Sequence, residues 1–177
     1  MNELQYIWAK IKYKIQGGNP EVISRYFRKK GIKIGRGCNI CCNIMTVEPY
    51  LVEIGNNVTI SGNVTFITHD NSVSKIYGNG YDLFGKITIG DNCFIGSHSL
   101  LLYGVTIYDN TIIAAGSVVT KSPKKGGVIL AGNPAKVIGN IDIFAEKYKE
   151  KIICTKHFSL EKRKKTILES REKWVCK

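Results

Sequence analysis

No stretch of the sequence approaches the roughly 18 to 20 consecutive apolar residues that a bilayer-spanning helix needs, so a helical membrane channel or anchor is not expected. The opening MNELQYIWAKIKYK mixes acidic and basic residues where a secretory leader needs an unbroken apolar stretch, and a cytoplasmic location is the default expectation. Metal-ligating side chains are equally sparse. There are three histidines, and the six cysteines (Cys38, Cys41, Cys42, Cys93, Cys154 and Cys176) supply one C-x-x-C, Cys38 with Cys41. No second pair completes a tetrahedral set, so no metal is expected. Cys38 and Cys41 instead fall where a six-residue pattern beginning at Ile34 and Ile40 wants small side chains, and they read as reduced packing cysteines.

Acidic residues are also short, 14 against 26 basic, for a net charge of +12. The excess sits at the two ends: residues 1–37 carry nine Lys/Arg against two Asp/Glu, 38–139 six against six, and 140–177 eleven against six. Basic ends of this kind favour an anionic membrane surface, nucleic acid or an anionic substrate, beside the plainer reading of solvated helix faces. Nucleic acid is not expected, because no aromatic-rich basic motif accompanies the charge.

What is abundant is a repeat. From Ile89, steps of six give Ile89, Ile95, Leu101, Ile107, Ile113 and Val119, with Cys93, Ser99, Val105, Thr111, Ser117 and Pro123 four places after each. Six aliphatic residues in one fixed register would arise by chance on the order of a few times in ten thousand, and the period matches neither a helix nor a plain strand. It is a signature of a parallel β-helix, in which one rung cannot bury its own apolar face and stacking supplies the core. The register starts at Ile34 and Ile40, breaks over 45–53, resumes at Ile54, Ile60 and Phe66, and breaks again over 68–86. A nineteen-residue irregular excursion inside a compact repeat domain is uncommon and more often functional than not.

The ends read as helices. Residues 3–16 place Leu4, Ile7, Trp8, Ile11 and Ile15 on one face with Lys10, Lys12 and Lys14 on the flanks, a helix suited to capping the open end of the coil or to lying on an anionic membrane surface. A second short helix spans roughly 21–30. Residues 142–153 and 159–175 read as two further helices, the latter N-capped by Ser159. The organisation expected is a helical cap (1–31), the coil with its excursion loop 68–86 (32–139), and basic C-terminal helices (140–177).

The run IGDNCFIGSHSLLLYGVTIYDNTIIAAGSVVTK, the later AGNPAKVIG and the segment NVTISGNVTFITHD resemble the hexapeptide-repeat acyltransferases, in particular their sugar O-acetyltransferase branch, over about residues 32–139. The resemblance implies a mainly β chain folded as a left-handed parallel β-helix, a homotrimer with sites between subunits, and acetyl-CoA as donor. It also implies a general-base histidine on the rung that bears the loop, which His69 matches. Imidazole suits the task, since a sugar hydroxyl becomes a nucleophile only as its proton is removed.

Asp70 then stands to orient His69 or bind the acceptor, or serves as a turn residue, and Glu48 matches acidic positions that would orient His69 or hold a sugar hydroxyl. For coenzyme A the matching positions are Ser97, Ala115, Thr120 and Lys121, with Lys136 placed to meet the nucleotide phosphate. His98 and His157 read as exposed surface. A γ-class carbonic anhydrase, which shares the coil, needs a second histidine five residues after the first, and Tyr103 stands there after His98. The expected reaction is O-acetylation of a saccharide, such as a surface-polysaccharide or lipopolysaccharide precursor. The alternatives are an amino sugar or a small antibiotic-like alcohol as acceptor, or a non-catalytic scaffold or trimerisation module.

Overall fold

The computed structural model describes residues 3–176; Met1, Asn2 and Lys177, the outermost residues of the expected cap and tail, lie outside the described residues. In chain order, α1 (Glu3–Ile15) and α2 (Glu21–Lys29) precede a series of very short strands: β1 (Lys33–Ile34), β2 (Asn39–Ile40), β3 (Val52–Ile54), β4 (Thr59–Ile60) and β5 (Thr65–Phe66). The excursion holds β6 (His69–Asp70), α3 (Ser74–Tyr77) and β7 (Leu83–Phe84). The long regular run follows as β8 (Ile87–Ile89), β9 (Phe94–Ile95), β10 (Leu100–Leu101), β11 (Thr106–Ile107), β12 (Ile112–Ile113) and β13 (Val118–Val119). A hairpin of β14 (Val128–Gly132) and β15 (Ala135–Asn140) leads to α4 (Ile141–Tyr148) and α5 (Leu160–Glu169).

The chain visits three parallel sheets in turn. One stacks β1, β3, β8 and β11, the second β2, β4, β9, β12 and β14, and the third β5, β10 and β13. Each circuit therefore closes onto the one before it. In the regular part, Ile107 sits on Ile89 and Ile113 on Ile95, a spacing of 18 residues, or three six-residue sides. Ile54 sits on Ile34 at a spacing of 20, and Ile89 on Ile54 at 35. The two breaks in the repeat are thus a short and a long insertion into otherwise equal turns.

The aliphatic register is the core. Ile60, Ile95, Leu101, Ile107, Ile113 and Val119 are fully buried, as are Thr111 and Ser117 from the second register. Burial of each such aliphatic side chain stabilises by roughly 1.5–3 kcal/mol. Strands stay two or three residues long because every sixth residue turns a corner. Gly37, Asn57, Asn63, Asn92, His98, Gly104, Asn110 and Gly116, each three places after a register aliphatic, all have φ between 53° and 79°. That left-handed conformation is tolerated by glycine, asparagine and histidine far better than by branched residues. Gly96 has a second reason to be glycine, since a Cβ there would strike the backbone nitrogen of Ala115 on the next turn.

Helix α2 buries Ile23 and Phe27 against the first rung, and Arg28 fastens it there, its Nε donating to the carbonyl of Ile34 at 2.7 Å. Helix α1 differs from its sequence reading. It packs through Tyr6, Ala9 and Tyr13, whereas Leu4, Ile7, Trp8, Ile11 and Ile15 are exposed. The apolar stripe faces outward because the aromatic and small face matches Tyr26 and Phe27 of α2. A second correction concerns cysteine: Cys38 and Cys42 are buried, while Cys41 is exposed, one place out of the inward register. The excursion is also more regular than expected, since β6 and β7 pair antiparallel, His69 with Phe84 and Asp70 with Leu83.

By internal packing the chain divides into two compact units, Met1–Ile141 and Asp142–Lys177. In the second, the helices are shorter than the sequence pattern suggested. After Tyr148 the chain tightens into a single 3₁₀ turn, and α5, capped by Ser159 Oγ accepting from Lys162 N–H, ends at Glu169. The indole of Trp174 folds back to donate to the carbonyl of Ile167 at 3.0 Å, which occupies the end of that helix. Among the described residues no helix is long and apolar enough to cross a membrane.

Candidate active site

Both breaks in the repeat feed one place. The first break turns at Glu48, whose successors Pro49–Leu51 form a 3₁₀ turn before β3 rejoins the stack. The second begins at Thr68 and His69, where β6 leaves the coil. Stacking of the turns brings the two together, and His69 Nδ1 lies 2.9 Å from Glu48 Oε2. A carboxylate can only accept, so Nδ1 carries the proton and donates, leaving the lone pair on Nε2. The Glu48 side chain is 9% exposed and that of His69 38%, which places the carboxylate inside and the imidazole edge at the surface.

Two threonines hold the carboxylate. Thr68, buried, donates its hydroxyl to the same Glu48 Oε2 at 2.6 Å. Having spent its one proton, its oxygen accepts from Thr46 Oγ1, also at 2.6 Å, and Thr46 Oγ1 accepts the Glu48 backbone N–H at 3.2 Å. The loop of bonds closes on the residue it started from, so the carboxylate cannot rotate without breaking it. Burial alone would raise the Glu48 pKa; hydrogen bonds from Thr68 and His69 outweigh it and hold the carboxyl below the usual glutamate value. The hydrogen bond to Glu48, against some desolvation, raises the His69 imidazole above the usual histidine value.

Asp70 faces elsewhere. Its Oδ1 accepts the Ser72 N–H at 2.8 Å, an Asx turn that starts the excursion, and its Oδ2 accepts the Tyr103 hydroxyl at 3.2 Å. Ser72 above all lowers the Asp70 pKa, and the hydrogen bond to Asp70 raises that of Tyr103. The ring of Phe84, across the hairpin, lies with its centroid 6.0 Å from that of His69. Beside the imidazole stands the Phe84 ring, while the Asp70–Tyr103 pair lies at the start of the excursion that His69 opens. Among the described residues Nε2 itself has no hydrogen-bond partner.

The positions expected to meet coenzyme A lie along the regular run and in the loop and hairpin that follow it. Ser97 and Ala115 occupy corners of successive turns, where Gly116 N–H donates to the Ser97 carbonyl at 2.8 Å, with Ser97 half-buried and Ala115 exposed. Thr120 follows β13 directly and leads into Lys121. Lys121 and Lys136 are brought to one groove of about 440 Å³, together with Lys124, Lys125, Pro123 and Leu130. His98 sits exposed at a corner, 3.4 Å from Asn63, and His157 is exposed in the second unit. Among the described residues no group of three His, Cys, Asp or Glu side chains could hold a metal ion.

Thr46, Thr68, Tyr103, Phe84, Lys124 and Lys125 did not stand out in the sequence. Thr68 adjoins the histidine and the two lysines adjoin Lys121, which is a signal of sorts. Tyr103 is reached only across turns of the coil, and Thr46, two places before Glu48, meets Thr68 across a turn as well.

The stacked six-residue sides define a hexapeptide-repeat protein. The family described as "Hexapeptide repeat of succinyl-transferase" matches residues 86–121. Protein CapG of Staphylococcus aureus is 42% identical over 143 residues, 77% of this chain and 82% of that protein. The galactoside O-acetyltransferase of Escherichia coli is 43% identical over 112 residues, 63% of this chain but 55% of the enzyme, so the match spans about half of that relative. Among solved structures, a hexapeptide-repeat acetyltransferase of Vibrio cholerae complexed with acetyl coenzyme A superposes with a TM-score of 0.56 at 26% identity, over 63% of this chain and 61% of that one. The chain belongs to the hexapeptide-repeat acyltransferase family.

Proposed function

We propose that this protein is an acetyl-CoA-dependent O-acetyltransferase of saccharides, built on a left-handed parallel β-helix and assembled as a homotrimer, with His69 as its general base. The observation that carries the reading is the Glu48–His69 pair. It fixes the tautomer and leaves the Nε2 lone pair free to take a proton, on a side chain that is 38% exposed. In the proposed reaction His69 Nε2 takes the proton of the acceptor hydroxyl while that oxygen bonds to the thioester carbonyl carbon. The Glu48 carboxylate stabilises the imidazolium so formed. His69 then returns the proton to the sulfur as the carbon–sulfur bond breaks, which balances the step without an acyl-enzyme.

The donor's fit rests on two features, one in the loop and hairpin after the regular run and one in the run itself. Four lysines, Lys121, Lys124, Lys125 and Lys136, line one groove and suit a ligand carrying several phosphates. The small side chains of Ser97 and Ala115 let an extended arm approach the backbone. The saccharide acceptor is supported by the 43% identical relative that is a galactoside O-acetyltransferase. Asp70 and Tyr103, opposite Phe84, would bind its hydroxyls, and a surface-polysaccharide precursor is the acceptor class we favour.

The test is thiol release from acetyl-CoA against a panel of sugars, nucleotide sugars and glycan fragments, for the natural protein and for His69→Ala. The variant is expected to lose turnover by about 100-fold or more while binding coenzyme A as before by calorimetry. Full turnover in that variant would remove the mechanism, and absence of turnover on every acceptor would favour a scaffold.

A further inference from the structure

Helix α1 is apolar on two opposite sides. Tyr6, Ala9 and Tyr13 pack against the core, with the Tyr6 ring centroid 5.8 Å from that of Phe27. At roughly 100° per residue, Ile7, Trp8, Ile11 and Ile15 fall in one arc of about 100° centred opposite that packed face. These four are 51%, 69%, 42% and 79% exposed, a row of bulky side chains facing water. Sequence periodicity produced the row, and the coil does not use it.

The surroundings state what kind of surface would cover it. Lys10 and Lys14 border the ridge on one side and Lys12 on the other. Beside it, a groove of about 440 Å³ between α1 and α2 is lined by Trp8, Ile11, Ile15 and Val22, with Arg25 and Lys29 at its rim. Lys30 lies nearby, over the Tyr26 ring. The acidic Glu21 of α2 is already engaged by Arg28. A second copy of the same face would set lysines against lysines. An apolar slab edged with phosphates matches both the ridge and its rim: the apolar side chains enter the acyl boundary, Trp8 sits at the headgroup level, and the long basic side chains reach back to the phosphates.

We propose that the outward face of α1, with the basic rim from α1 and α2, docks this protein on the anionic surface of a lipid bilayer. The inference is independent of the catalytic reading, since none of its residues belongs to the Glu48–His69 site.

Co-sedimentation of the full chain with vesicles tests it, using phosphatidylcholine alone and phosphatidylcholine with phosphatidylglycerol in equal parts. The natural protein and His69→Ala are expected to bind the mixed vesicles and not the neutral ones, and raised salt to release them. The pair Trp8→Ser with Ile11→Ser is expected to weaken binding about ten-fold or more, with an unchanged circular-dichroism melt and an unchanged mass by light scattering. Equal binding to both vesicles, no binding to either, or full binding by the double variant would overturn the proposal. A double variant of lower assembly mass would assign the ridge to a subunit contact instead, and overturn it as well.

Discussion

The regular turns from β8 to β13 and the two breaks at 45–53 and 68–86 are made of the same kinds of residue, yet they do opposite things. In the regular turns each side chain is placed by the turn above and the turn below, and the corner residue is always left-handed. Three register positions reach a corner and do not take that conformation: Asn43, His69 and Ser122. At each of them the chain leaves the coil, to the Glu48 turn, to the hairpin, and to the loop before β14. The interior of the stack admits small polar side chains that bond to the backbone, as Ser99 and Ser117 do to the Ala114 carbonyl. Where the corner fails, a carboxylate and an imidazole from different turns can meet at its edge.

The contrast predicts that a regular turn fails by unfolding and a break fails by chemistry. The largest effect is expected for Leu101→Ala, a fully buried rung position. It should cost about 2–5 kcal/mol of stability, read as a lowered melting temperature, with turnover per folded molecule unchanged. Glu48→Gln should do the reverse, with turnover falling roughly 10- to 100-fold and little change in melting. The pH profile adds the sign. Glu48 raises the His69 pKa, and a general base of the proposed kind works deprotonated, so activity of the natural protein should rise with pH along a limb that lies above the usual histidine value of about 6.5. In Glu48→Gln that limb should move to lower pH. A limb that stays in place would mean that the pair does not act together.

The smallest effect is expected at Thr68, whose hydroxyl reaches the His69 imidazole only through Glu48. Thr68→Val keeps the shape and loses the hydroxyl proton, and turnover should fall a few-fold, with the pH limb displaced. Thr68→Ser should recover most of it. Loss of stability in both, with the pH profile unmoved, would make Thr68 a packing residue.

Much of the coil was legible in advance because the pattern is local and repeated: the buried registers and the two breaks follow from counting in sixes. Less was legible at the site. His69 could be named from its motif, but its partner could be offered only among alternatives, and Asp70, next to it in sequence, turns to Ser72 and Tyr103 instead. Of the neighbours Cys41 and Cys42 the second is the buried one, a difference of one residue that the six-residue count does not resolve just after β2. The stripe on α1 is a true periodicity that does not pack on the coil, since a helical wheel identifies an apolar face but does not say which surface receives it.

Sequence by itself determined the six-residue side, the aliphatic core and the corner residues, since each follows from the conformational needs of a few neighbouring residues. Tertiary structure alone decided which turn lies on which. Ile54 on Ile34 is offset by 20 residues and Ile89 on Ile54 by 35, and those two unequal insertions bring Glu48, Thr68 and His69 to one edge. A hydrogen bond between residues 21 apart depends on the stacking of whole turns, and no local preference encodes it.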